Sequence, residues 1–109
     1  MDKRRVQRQA KDQQKLREVL CEILGDDNEV LMADGLERAA IGLVFHDIAS
    51  GGPRVVYDYE ACIAIFIKDD GMTEEDAREH MEFNVVGGYV GESTPVFITE
   101  LPKLWRGRR

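Results

Sequence analysis

The run from Val56 to Phe97, VYDYEACIAIFIKDDGMTEEDAREHMEFNVVGGYVGESTPVF, constrains the fold more than any other part of the chain. It holds two helix-start signals, an Asp-Gly break, an aromatic-polar helix end and a Gly-rich turn. Asp58 has the character of an N-cap, a carboxylate able to accept from the free amides of a first turn. A helix over Tyr59–Asp70 follows, stopped by Gly71. The apolar run Ala61–Ile67 also fits a strand with Ile63, Ile65 and Ile67 on one side. The cap before it and Asp69-Asp70-Gly71 after it favour a largely buried helix. Thr73-Glu74-Glu75-Asp76 opens the next helix, its acidic first turn suiting the positive helix end. Ala77, Met81 and Val85 recur at i, i+4 and i+8 with His80 and Asn84 interleaved, and Gly87-Gly88 ends the element. Tyr89-Val90, a turn at Gly91-Glu92 and a short strand over Pro95–Thr99 complete the run.

Upstream, residues 3–24 read as a helix. Leu16, Val19, Leu20, Ile23 and Leu24 draw one apolar stripe, and Gly25 is a natural stop. The stripe thins towards the N-terminus, leaving only Val6 and Ala10. The first two turns are therefore expected to project into solvent, fray or pack on another chain. Asp26-Asp27-Asn28 is a turn, residues 29–33 a short strand or a connection, and Asp34-Gly35 a break. A strand over 38–46, a loop at Ser50-Gly51-Gly52-Pro53 and a strand over 54–57 would make a hairpin. The expected fold class is α+β: a long N-terminal helix, a small antiparallel sheet of two to three strands, and two central helices packed on one face. The expected organisation is a basic amphipathic helix at 1–24, a compact α+β domain at 25–101 and a basic tail at 102–109.

With 109 residues and 43% hydrophobic side chains, the chain has material for one modest core. No stretch approaches the ~20 apolar residues that span a bilayer, and no apolar segment follows the charged N-terminus, so a cytoplasmic protein is expected. Cys21 and Cys62 each sit inside an apolar pattern and read as buried free thiols in preference to a disulfide. The formal net charge of −6 hides a segregated layout. Residues 1–17 carry seven basic and two acidic side chains, residues 103–109 four basic and none acidic, and residues 18–102 four basic and nineteen acidic. Basic ends on an acidic body are the one strong asymmetry of the chain.

Asp34-Gly35, Val56-Tyr57-Asp58-Tyr59-Glu60, Asp70-Gly71-Met72-Thr73, Glu82-Phe83-Asn84-Val85, and Tyr89-Val90-Gly91-Glu92 through Thr94-Pro95-Val96-Phe97 together resemble a group of small proteins encoded by bacteriophages and prophages. The shared pattern is roughly YDYExCI, DGMTxEEA and EFNVxGxYVGExTPxF, covering residues 33–98 and ungapped from Tyr57 to Phe97. The resemblance implies a viral accessory protein working in the host cytoplasm. It supplies no activity, and it does not reach the basic leader or the tail.

Four constellations carry chemistry. Asp34, Asp58, Glu60, His80, Glu82 and Asn84 form a polar set; Glu60, His80 and Asn84 would share a cleft if the two helices pack. Acid, imidazole and amide together support proton transfer or divalent metal binding. No spacing among them is a recognised metal or nucleophile signature, so capping and solvation account for them better. The second constellation, Glu82-Phe83-Asn84 followed by Val85-Val86-Gly87-Gly88-Tyr89, reads first as a helix end locked by Asn84 bonding to backbone, with partner contact as the alternative. Gly87-Gly88 and Gly91 lack the strand-then-helix setting of a phosphate loop. Cys62, inside Ala-Cys-Ile-Ala-Ile, is packed and inert, because reactive thiols need an accessible, electropositive setting.

The basic ends are the third constellation: Arg4, Arg8, Lys11 and Lys15 line one helical stripe, and Trp105 beside Arg106 suits stacking on a base. They offer phosphate contacts, against the repulsion of the acidic body. A solubilising or self-associating helix accounts for them better, and pairing with a neighbour's acidic body is a further alternative. The fourth is the acidic helix carrying Glu74, Glu75, Asp76, Glu79 and Glu82, which suits steering to a basic surface, with Phe83, Tyr89 and Phe97 as apolar anchors. The expectation is a non-enzymatic phage accessory protein that binds a host or phage protein, most plausibly a host protein of defence or nucleic-acid metabolism. The partner-binding set is Glu74, Glu75, Glu79, Glu82, Phe83 and Tyr89. No catalytic residue, metal, cofactor or membrane contact is assigned. The alternatives are a nucleic-acid-binding protein using Arg4, Arg8, Lys11, Lys15, Trp105 and Arg106, or a self-associating virion or assembly component.

Overall fold

The computed structural model describes residues 3–45, 52–88, 91 and 93–102. Helix α1 spans Lys3–Leu24, a 3-10 turn at Glu37–Ala39 leads into β1 (Ala40–Val44), and β2 (Arg54–Asp58) runs straight into α2 (Tyr59–Asp70). Helix α3 (Glu74–His80) continues without a break into a π-helical turn, Met81–Val85, and a 3-10 turn, Val86–Gly88, before β3 (Val96–Ile98). The α+β class and the long first helix are as the sequence indicates.

The punctuation works as its chemistry predicts. The Asp58 carboxylate accepts the Glu60 N–H at 3.2 Å, starting α2. Gly71 takes φ +69° and closes it, a left-handed conformation that costs glycine little. The Thr73 hydroxyl accepts the Asp76 N–H at 3.1 Å and starts α3. Residues 61–67 are helical, with Cys62, Ile63 and Phe66 buried. Ala64 and Ile67 are exposed, so α2 buries one face and not its whole circumference.

Two expectations about the sheet are corrected. The sheet has the order β1-β2-β3 and is mixed: β1 pairs antiparallel with β2, but β3 runs parallel to it, Tyr57 opposite Phe97. The physical cause is the connection, since α2 and α3 carry the chain back to the end of the sheet at which β2 began. The first strand covers 40–44 and not 38–46, because the Ala39 N–H donates to the Leu36 carbonyl at 2.9 Å and winds residues 37–39 into a turn. Residue 46, the loop at Ser50-Gly51 and the Tyr89-Val90 segment lie outside the described residues.

Val55 and Tyr57 point from β2 into a core shared with Leu20 of α1, Cys62 and Phe66 of α2, Ala77 of α3 and Met81 of the π turn. The Phe97 ring stacks on Tyr57 with centroids 5.5 Å apart. Leu20 is 1% exposed, so the C-terminal half of α1 is part of the core.

The N-terminal half of α1 also docks, through a polar ladder. Arg5, Gln9, Gln13 and Arg17 recur every four residues along one face. The Arg5 guanidinium donates to the Asp69 carbonyl at 2.9 Å and pairs with the Asp70 carboxylate. Gln9 lies against Gly35, where a Cβ would come within 3.1 Å of its side-chain nitrogen. Gln13 donates to Asp34 at 3.4 Å, and Arg17 to the Asn28 side chain and the Val30 carbonyl at 3.1 and 3.2 Å. Val6 is 45% exposed and Ala10 also faces solvent. The first turns thus lie on the chain's own body, held by hydrogen bonds and charge in place of the apolar stripe.

Candidate functional site

The π-helical turn sets the geometry of Phe83, the most exposed aromatic side chain among the described residues. After the last α-helical residue, the Val86 N–H donates to the Met81 carbonyl five residues back, widening the turn. Such insertions occur frequently at functional sites. Ala77, Met81 and Val85 still face inward, and Phe83 is left 76% exposed on the outer side. Gly87 follows under crowding, since a Cβ there would lie 3.1 Å from the Glu82 carbonyl oxygen.

Two open depressions flank this element. One, of about 520 Å³, is lined by Met72, Asp76, Glu79, His80, Phe83 and Asn84. The other, of about 420 Å³, is lined by Ala33, Asp34, Leu36, Phe66, His80, Asn84, Val85 and Gly88. His80 and Asn84 line both, with the Asn84 amide nitrogen 3.2 Å from His80 Nδ1. The imidazole also meets the Phe66 ring edge-on, centroids 4.8 Å apart.

The structure divides the polar set that the sequence grouped together. Asp34, His80 and Asn84 do come together around the second depression. Glu60 does not join them; it makes a two-pronged pair with Arg78, both contacts at 2.9 Å. That guanidinium holds the Glu60 carboxyl below the usual carboxylate range, and Glu60 in turn raises the pKa of Arg78. Asp58 is occupied as a cap. Glu82 turns to another depression with Arg54, Tyr59 and Phe97. The Tyr59 phenol there is raised, first by burial and then by Glu82. Among the described residues no three His, Cys, Asp or Glu side chains gather as a metal-binding group. The Cys62 thiol is fully buried and its pKa is pushed up to about 12, mainly by burial and then by Asp58.

The acidic helix face is likewise uneven. Glu74 lies 3.7 Å from Arg78, one turn away, while Glu75, Asp76 and Glu79 face solvent. Asp69 and Asp70, just before the helix, are taken up by Arg5, Arg8 and Arg38. Phe97 is committed to Tyr57 and is not a free anchor. Of the basic stripe, Lys11 and Lys15 are exposed, but Arg8 lies 3.7 Å from Asp69. Tyr89, Trp105 and Arg106 lie outside the described residues. The π turn went unseen in the sequence, and the only hint was an aromatic residue, Phe83, placed off the inward spacing of the helix.

Among the described residues no helix is long and apolar enough to cross a membrane. No protein-family model, curated protein or solved structure matches this chain.

Proposed function

We propose that this chain is a non-enzymatic accessory protein, of the kind phages and prophages encode, that binds a basic surface on another protein through α3 and the π turn. The observation that carries this reading is Phe83, 76% exposed beside the carboxylates of Asp76 and Glu79. An aromatic side chain with two side-chain torsions loses little freedom on binding and buries a large area, the profile of an interface anchor. Acidic neighbours speed encounter with a cationic partner and select against anionic ones. Host proteins that handle nucleic acid present such cationic surfaces, which makes them the most plausible targets.

The test is capture of partners from nuclease-treated bacterial lysate by wild type and by a Glu74→Lys, Glu75→Lys, Glu79→Lys variant. The reading expects a stoichiometric protein on the wild type that is lost from the variant. Equal retention of every captured protein by the two baits sinks it.

A further inference from the structure

The two depressions beside α3 and the π turn share the His80–Asn84 pair, which lines both. Together they run from Asp76 to Gly88, about 18 Å at the rise of a helix. That length matches about five or six residues of extended chain. The lining combines Met72, Phe83 and the largely buried Phe66 and Leu36 with the carboxylates of Asp76, Glu79 and Asp34. Among the described lining residues there is no lysine or arginine.

The ion pairs of the molecule make this absence informative. Glu60, Glu74, Asp69 and Asp70 each have an arginine of the same chain. Asp76 and Glu79 have no cationic partner among the described residues, although Arg78 lies between them in sequence. No described cation of the chain neutralises them. An exposed aromatic face next to uncompensated carboxylates favours a guanidinium or ammonium group, by charge and by the ring quadrupole together.

We propose that the two depressions act as one groove that takes an extended cationic segment of the partner, its apolar side chains against the apolar lining and its cations against the Asp76 and Glu79 carboxylates. An extended chain turns alternate side chains to opposite sides, so alternating cationic and apolar residues satisfy both at once. This deepens the reading above and rests on it: the same face is the binding face, and the basic surface it meets is an extended, strand-like segment of the partner.

The experiment is fluorescence anisotropy on the full chain, with a labelled, end-capped peptide of about six residues alternating arginine and leucine. The same peptide with glutamate for arginine is the control. The groove predicts saturable binding of the arginine peptide only, weakened about tenfold by Asp76→Asn with Glu79→Gln and similarly by Phe83→Ala. These side chains are exposed, so circular dichroism of the variants should match wild type. No saturable binding of the arginine peptide, or equal binding by wild type and variants, overturns the groove. If partner capture still depends on Glu74, Glu75 and Glu79 in that case, the binding face stands and only the extended occupant falls. Equilibrium sedimentation showing wild type as a dimer that Phe83→Ala converts to monomer would also overturn it, assigning the groove to a second copy.

Discussion

The Tyr57 hydroxyl accepts the Ala33 N–H at 2.8 Å in the centre of the molecule, where Tyr57 is 0% and Ala33 1% exposed. This one bond ties the irregular segment after α1 to the central strand of the sheet. Tyr57→Phe keeps the ring and its stacking on Phe97 but leaves a buried N–H without an acceptor. The expected cost is about 1–3 kcal/mol, measured by urea unfolding, with little change in the dependence on denaturant. A loss indistinguishable from zero would mean that water or a shift of residues 30–34 replaces the bond.

The docking of the first turns of α1 is ionic and should respond to salt. Arg5, Arg8 and Arg38 surround Asp69 and Asp70 at the C-terminal end of α2, where the helix dipole adds further negative potential. Arg5→Ala is expected to cost about 0.5–1 kcal/mol, roughly what partly exposed pairs contribute. Hydrogen exchange is the better probe. Protection of residues 6–12 should fall in the variant, or in wild type at high salt, while residues 16–24 keep theirs.

Glu37 gives the stability an unusual pH component. It is 8% exposed, and its carboxylate oxygens accept the Gly35 N–H at 3.1 and 3.2 Å. Burial, the largest influence, raises its pKa, and Asp34 and Asp12 add to this against the lowering by the backbone N–H groups. A carboxyl raised on folding binds its proton more tightly in the folded state. Its contribution is therefore fully present below the unfolded pKa and is lost as pH rises through the folded one. Glu37→Gln should gain stability at neutral pH and lose that component. Glu60 acts in the opposite sense: Arg78 lowers its pKa, so its contribution is present above the unfolded pKa and lost as pH falls. Chemical denaturation of wild type and Glu37→Gln from mildly acidic to neutral pH separates the two.

The two thiols should differ sharply towards alkylating reagents. Cys62 is 0% exposed with its pKa pushed up to about 12, mainly by burial, so almost none of it is thiolate at neutral pH. Cys21 is half-exposed at the surface of α1. Mass spectrometry after brief labelling of the native protein should find one modified cysteine, Cys21, and a second only in denaturant.

The elements were legible wherever local chemistry alone decides them. Asp58, Gly71 and Thr73 mark helix ends through bonds to residues no more than a few positions away, and the structure keeps all three. What the sequence hid depends on distant partners. Arg5, Gln9 and Gln13 look like solvated positions until the Asp34-Gly35 turn and the end of α2 are brought beside them. The direction of β3 depends on the path of two helices, which no property of Val96–Ile98 encodes. The separation of Glu60 from His80 follows from Arg78, whose pairing choice between Glu60 and Glu74 is a matter of geometry. The i, i+4 spacing of His80 and Asn84 puts those two on one face, whereas Asp34 reaches the same depression only through the fold.

On the proposed function, a protein partner binds the face from α3 through the π turn. Amide chemical shifts of isotope-labelled protein, followed by NMR as the captured partner is added, test it most directly. Perturbed amides are expected to cluster between Glu74 and Gly88, centred on Phe83, with those of Lys11 and Lys15 unchanged. Perturbations concentrated on α1 instead, or spread over the sheet with α3 untouched, would contradict it.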